Sequence, residues 1–180
     1  GVQNIAHTNG TVAATVDSSG NIAMASGKTF SGGGKVLQVK NFQTGAVNSG
    51  TETIPFDDTI PQITEGKEYM TLAFTPTSAT SYLRIEVAVN CSTSSGGDTK
   101  IALFVGTTAN ALNVGNIFAT ANWRQQLRID HYMVAGTTSE LTFRVRGGAT
   151  TGTFTFNGYS SGRLYGGTFL SSITITEIGG

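Results

Sequence analysis

The chain is short of charge, cysteine, proline and helix signals, and each shortage excludes something. Only 12% of its 180 residues are charged, about half the usual share, and 11 basic residues balance 11 acidic ones. A net charge of zero leaves neither a basic footprint for nucleic acid nor a polybasic membrane anchor. No apolar run approaches the ~20 residues that a membrane-spanning helix needs. The opening GVQNIAHTNG shows neither the basic nor the apolar region of a secretory leader. Cys91 is the single cysteine, so no disulfide closes within the chain and no multi-cysteine metal centre forms. Helical periodicity is nearly missing. Its weak candidates are 109–120 and 121–128, where Gly115 and the asparagines oppose a long helix and leave a short helix or turn near 122–126.

In place of charge stand 28 Thr, 24 Gly, 15 Ser and 11 Asn. Thr is β-branched and suits strands, while Gly, Ser and Asn suit tight turns. Alternation with a period of two runs through the sequence. In 82–91 Leu83, Ile85, Val87 and Val89 share one face, and in 139–146 Leu141, Phe143 and Val145 do so. Leu127, Ile129, His131 and Met133 share another, as do Phe154 with Phe156 and Ile173 with Ile175. Such segments read as half-buried strands. Further strands are expected at 69–75, 99–105, 35–43 and 51–56, with 99–105 central because it is almost continuously apolar. Gly-, Ser- and Asn-rich turns separate them, and Pro55, Pro61 and Pro76 fall at strand ends or loops. Eight to ten short antiparallel strands imply an all-β, jelly-roll-like β-sandwich over residues 34–180.

Residues 1–33 differ. Val12, Val16, Ile22, Met24 and Phe30 are too few for a private core, so this extended β segment must bury itself against something else. Gly32-Gly33-Gly34 then reads as a hinge into the sandwich.

The string TVDSSGNIAMASGKTFSGGG resembles the strand–turn–strand units in the shafts of tailed-bacteriophage fibres and spikes. The stretch beginning KVLQVKNFQTGAVNSGTETIPFDD resembles the opening of the C-terminal head that follows such shafts, and the ending SSITITEIGG resembles its last strand. The resemblance spans nearly the whole chain, and no fixed catalytic signature belongs to it. It implies a homotrimer, with residues 1–33 as shaft and trimerisation segment and 34–180 as the receptor-binding tip. It also implies a virion location at the tip of a tail fibre, assembly in the host cytoplasm, and binding to a bacterial surface glycan or outer-membrane protein. The start at Gly1, in mid-pattern, implies a piece of a longer fibre. A virion decoration or head-fibre protein, and a glycan-cleaving depolymerase, are the alternatives.

A search for chemistry returns little. A Ser-His-Asp site needs a positioned histidine; His7 lies in the thin first segment, and His131 shares a strand face with Ile129 and Met133. No G-x-S-x-G occurs. A glycosidase needs two carboxylates across a cleft, and the acidic residues are scattered. Asp57-Asp58 is the one adjacent acidic pair and reads as an Asx-type turn rather than a calcium loop. No catalytic residue, metal or cofactor is expected. Cys91 reads as a small core residue, and Arg144 and Arg146, alternating outward on one strand, as a solvated face ahead of a trimer interface. For ligand binding, the densest set of rings and donors is 157–165, with Asn157, Tyr159, Arg163 and Tyr165 in a Gly- and Ser-rich loop. The second candidate is Trp123, followed by Arg124, Gln125 and Gln126.

Overall fold

The computed structural model describes residues 3–28 and 34–180. Phe30 and the first two glycines of the expected hinge, Gly32 and Gly33, lie outside the described residues. The chain divides into two compact units, Gly1–Gly34 and Lys35–Gly180.

In the first unit, β1 (Gln3–Ala6), β2 (Val12–Val16) and β3 (Ile22–Met24) form an antiparallel meander. Asp17 ties its second turn: Oδ1 accepts from the backbone N–H groups of Ser19 and Asn21 at 2.8 and 2.9 Å. Gly20 completes that turn at a φ of 83°, where a Cβ would be strained. Register pairs Ile5 with Ala14 and Ala14 with Met24, and likewise Val16 with Ile22. One face of the sheet therefore carries Ile5, Ala14, Val16, Ile22 and Met24. Of these, only Ala14 is buried, while Ile5 remains 51% and Ile22 66% exposed.

The second unit is an antiparallel β-sandwich. Its strands are β4 (Val36–Thr44), β5 (Asn48–Gly50), β6 (Lys67–Phe74), β7 (Tyr82–Thr93), β8 (Gly97–Val105) and β9 (Asn113–Ala119). They continue with β10 (Arg124–Val134), β11 (Leu141–Ala149), β12 (Phe154–Phe156), β13 (Gly158–Tyr159), β14 (Gly162–Arg163) and β15 (Ser171–Ile178). One sheet runs β4-β15-β7-β10, with the short β12 and β5 prolonging it beside the far end of β7. The other runs β6-β11-β8-β9. Among the eight long strands, first pairs with last, second with seventh, third with sixth and fourth with fifth, which is jelly-roll connectivity.

Alternation fills the space between the sheets. Leu83, Ile85, Val87, Val89 and Cys91 of β7 meet Ile173 and Ile175 of β15, Leu127 and Ile129 of β10, and Phe74, Phe143 and Val145 from the other sheet. Tyr69 packs against Phe154 and Phe156 with ring centroids 5.1 and 5.0 Å apart. Burial pushes the Cys91 thiol up to about 12, so it behaves as a small apolar group.

Three expectations change. Residues 51–56 are not a strand; the pairing stretch is β5, and the chain then crosses the outer face of the second sheet. Ile54 is fully buried there with Ala102 and Phe104, which explains why β8 is apolar on both faces. Gly148 permits the crossing, because a Cβ there would stand 2.6 Å from the Glu52 carbonyl oxygen. Arg144 and Arg146 are half-buried rather than solvated. Arg146 donates from Nε to the Glu65 carbonyl at 2.8 Å and from Nη2 to that of Gly66 at 2.7 Å, and Arg144 pairs with Glu68 at 3.1 Å. Residues 122–126 hold a turn followed by the start of β10, and 113–119 is strand; Gly115 sits where a Cβ would be 2.8 Å from the Arg128 carbonyl oxygen of the neighbouring strand.

A buried carboxylate closes the end where β4 enters. Glu177 accepts from Gln38 Nε2 at 2.7 Å, from Thr77 N at 2.8 Å and Oγ1 at 2.9 Å, and from Ser78 N and Ser81 Oγ. Burial pushes this carboxyl up, but the bonds from Ser81, Gln38 and Thr77 outweigh it and hold it below its ordinary range.

Candidate functional site

The sequence candidates fall at the sandwich end opposite the entry of β4. Val36 lies in register with Ile178, Tyr82 and Val134, whereas Arg124 pairs with Ser92, ten positions further along β7. At the rise of an extended strand, that is roughly 33 Å.

Asn157 does not reach solvent and is a correction to the expected site. It is fully buried, with Nδ2 donating to the carbonyls of Thr44 and Ala46 at 2.8 and 3.1 Å and Oδ1 accepting from Ser171 Oγ at 2.6 Å. A short polar side chain that tolerates φ of 53° is what ties this loop to β4 and β15. The residues after Asn157 project outward instead. β13 and β14 form a hairpin whose turn residues, Ser160 and Ser161, both lie at positive φ, 47° and 61°. Tyr165, at φ 48°, is 70% exposed and meets Phe169 edge-on, with ring centroids 6.1 Å apart. Among the described residues, every non-glycine at positive φ is Asn122 or lies within 157–165, so local strain concentrates at this one end.

Trp123 joins the same region. Asn122 at φ 62° donates its N–H to the Thr93 carbonyl at 2.7 Å, which turns the chain and leaves Trp123 65% exposed. The next residue links the two candidates: the Arg124 guanidinium lies 5.4 Å from the ring centroid of half-buried Tyr159. Beside them opens a groove of about 390 Å³ lined by Phe118, Trp123, Arg124, Gln125 and Gln126. Phe118 is 76% exposed. A chain of amides steadies one wall: Arg128 Nε donates to Gln126 Oε1 at 3.0 Å, Gln126 Nε2 to Asn90 Oδ1 at 3.1 Å, and Asn90 Nδ2 to the Leu170 carbonyl at 2.6 Å. Gln125 is buried, with neither carboxamide atom hydrogen-bonded. Tyr159, Trp123 and Arg124 thus come together, and Arg163 and Tyr165 are exposed in the adjoining loop. Phe118 escaped the sequence reading because it lies in 109–120, taken there as a weak helix, and NVGNIFA carries no period-two alternation to mark the strand.

Among the described residues, no group of His, Cys, Asp and Glu has metal-binding geometry. Glu86 and Asp130 face each other across β7 and β10 and, with Arg128, line a groove of about 410 Å³, where Arg84 bridges both carboxylates at 3.1 and 2.8 Å in an ion-pair pattern. His131 stands alone in its strand, and burial pushes its imidazole down toward the neutral form.

No family model matches this chain, and no curated protein matches it. Solved structures are similar at low scores. Eiger TNF from S. frugiperda is 10% identical, with 78% of this chain and 93% of that one covered at a TM-score of 0.47. Dimeric latent PorU from Porphyromonas gingivalis is 13% identical, covering 83% of this chain and 14% of that one, with a TM-score of 0.38. The infectious bursal disease virus Gx strain structure is 11% identical, covering 79% and 37%, with a TM-score of 0.36. Likenesses this distant carry no argument about activity or partners.

Proposed function

We propose that this chain is the receptor-binding tip of a bacteriophage tail fibre, working as a non-catalytic homotrimer that adheres to the bacterial surface. The observation that carries the reading is the meander of β1–β3. It has a segregated apolar face, yet Ala14 is the only residue it buries. Sister copies laid against that face would supply the core that one copy lacks.

Two features of the sandwich support the same reading. On the outer face of the first sheet, Val36, Ile178, Tyr82 and Val134 form one row across four strands, and Val39 and Tyr132 stand in the next. Val36, Val39, Tyr132 and Val134 are each about half exposed, an apolar band suited to contact between sister heads. Phe118, Trp123 and Tyr165, each 65% exposed or more, lie at the end opposite the entry of β4, which is where a tip meets its receptor. Three such ends on one trimer would act together on a surface dense in receptor.

Sedimentation velocity and adsorption to a panel of bacterial strains test this. The expected results are a species of three times 18.7 kDa and saturable adsorption to particular strains. A monomer at micromolar concentration, or a trimer that ignores every strain but coats phage capsids, overturns it; the latter outcome marks a decoration protein.

A further inference from the structure

The arginines divide into two sets. Arg84, Arg144 and Arg146 are each ion-paired with a carboxylate. Arg124, Arg128 and Arg163 make no ion pair among the described residues. The residues that line the groove beside Trp123 include one arginine, Arg124, and no Asp or Glu. This groove lies at the far end of the sandwich, and its Arg124 makes no ion pair among the described residues. The same end carries Phe118 and Trp123, both largely exposed, around the groove of about 390 Å³.

We infer that this groove binds an acidic polysaccharide, one whose pyranose rings carry carboxylates. The inference rests on the tip reading above and names its receptor class. A flat exposed ring covers the apolar face of a pyranose, and Trp123 and Phe118 offer two. Arg124 is held by Tyr159, so its planar fork loses little freedom on gripping a carboxylate with two parallel N–H donors. Arg128, four residues along the same strand face and about 13 Å away, lies beside Glu86 and Asp130 in the neighbouring groove, so Arg124 is the grip for the carboxylate. Gln126, fixed between Arg128 and Asn90, presents its amide to sugar hydroxyls. Nucleic acid is a poor fit, because the one arginine that lines the groove falls well short of the phosphate neutralisation that such binding uses.

The test is calorimetric titration of the full chain with polygalacturonate, alginate and polysialate, each beside its carboxyl-reduced counterpart, and with poly-glutamate as an anion without sugar rings. At least one acidic polysaccharide is expected to bind more tightly than both its reduced form and poly-glutamate, and to weaken as salt rises. Arg124→Gln and Trp123→Ala are each expected to cost about tenfold or more in that affinity, the value of one charge-assisted pair or one stacked ring. Lys40→Gln, which removes equal charge elsewhere, is expected to change it by less than about twofold. The inference is overturned if no acidic polymer outbinds its reduced form, if poly-glutamate binds as tightly, or if Arg124→Gln costs no more than Lys40→Gln. Any of these outcomes with trimerisation and cell adsorption intact removes the acidic-sugar assignment alone. Loss of trimerisation and adsorption in the unaltered chain removes the tip reading.

Discussion

The two units are built from the same residue types in the same alternation, yet they end in opposite states. In β7, β10 and β15 the apolar face meets a second sheet, and Leu83, Ile85, Ile173 and Ile175 lose all contact with water. In β1–β3 the apolar face is as well sorted, but Ile5, Ile22 and Met24 stay 40% exposed or more. Alternation therefore specifies which side of a strand is to be covered without specifying by what. The sandwich contains its own cover, whereas the meander leaves its apolar face largely open.

The sharpest way to break this comparison is to empty the sandwich core. Phe143→Ala removes a fully buried ring and should cost about 3–5 kcal/mol, read as a large fall in the denaturant midpoint of the second unit. Next is Glu177→Gln, which exchanges an anion for an amide among donors that all point at it; a loss of about 2–3 kcal/mol is expected in the same measurement. The pH dependence has a definite sign. Glu177 is held below its ordinary value of 4.5, so between the two values the unfolded chain binds the extra proton. Its stabilisation is complete above the unfolded value and is lost as pH falls through the folded one, and the Gln variant should lack that acid-side slope. Asn157→Ala leaves the carbonyls of Thr44 and Ala46 short of a donor and should cost about 1–2 kcal/mol of stability, while Trp123→Ala should shift thermal unfolding by no more than about 0.5 kcal/mol. The smallest effect on the sandwich belongs to Ile22→Ser. Its unfolding should be unchanged within about 0.5 kcal/mol, while sedimentation should show the trimer giving way to monomer. A fall in sandwich stability without a change in mass would erase the distinction between the two units.

Much of the fold was legible because period-two patterns are local. The faces of β7, β10, β11 and β15 follow from residues two apart, and the turns between them follow from Gly, Ser and Asn. The illegible parts depend on contacts between distant segments. Residues 51–56 have β-branched composition, but their backbone crosses Gly148 instead of pairing, and Ile54 takes a second apolar pocket over Ala102 and Phe104. Arg144 and Arg146 alternate outward and yet are half-buried, because Glu68 and the carbonyls of Glu65, Gly66 and Gly106 engage them. Asn157 was misplaced for a related reason: its amide finds partners more than a hundred residues away, and no nearby residue reveals it. Trp123 and the 157–165 loop were each visible, but their meeting through Arg124 and Tyr159 depends on β12 and β10 both flanking β7.

The ladder between β4 and β15 runs from Thr44 with Ser171 to Val36 with Ile178, and the N–H of Gly179 donates to the Lys35 carbonyl just beyond it at 2.7 Å. Tension entering at Lys35 against an anchor at the far end of the sandwich would pull along the strands, at right angles to these hydrogen bonds. Such a pull shears the whole row at once instead of unzipping it pair by pair, so the load is shared and rupture needs the greatest force the joint can give. Under the proposed tip role, this ladder would let the sandwich withstand drag while bound.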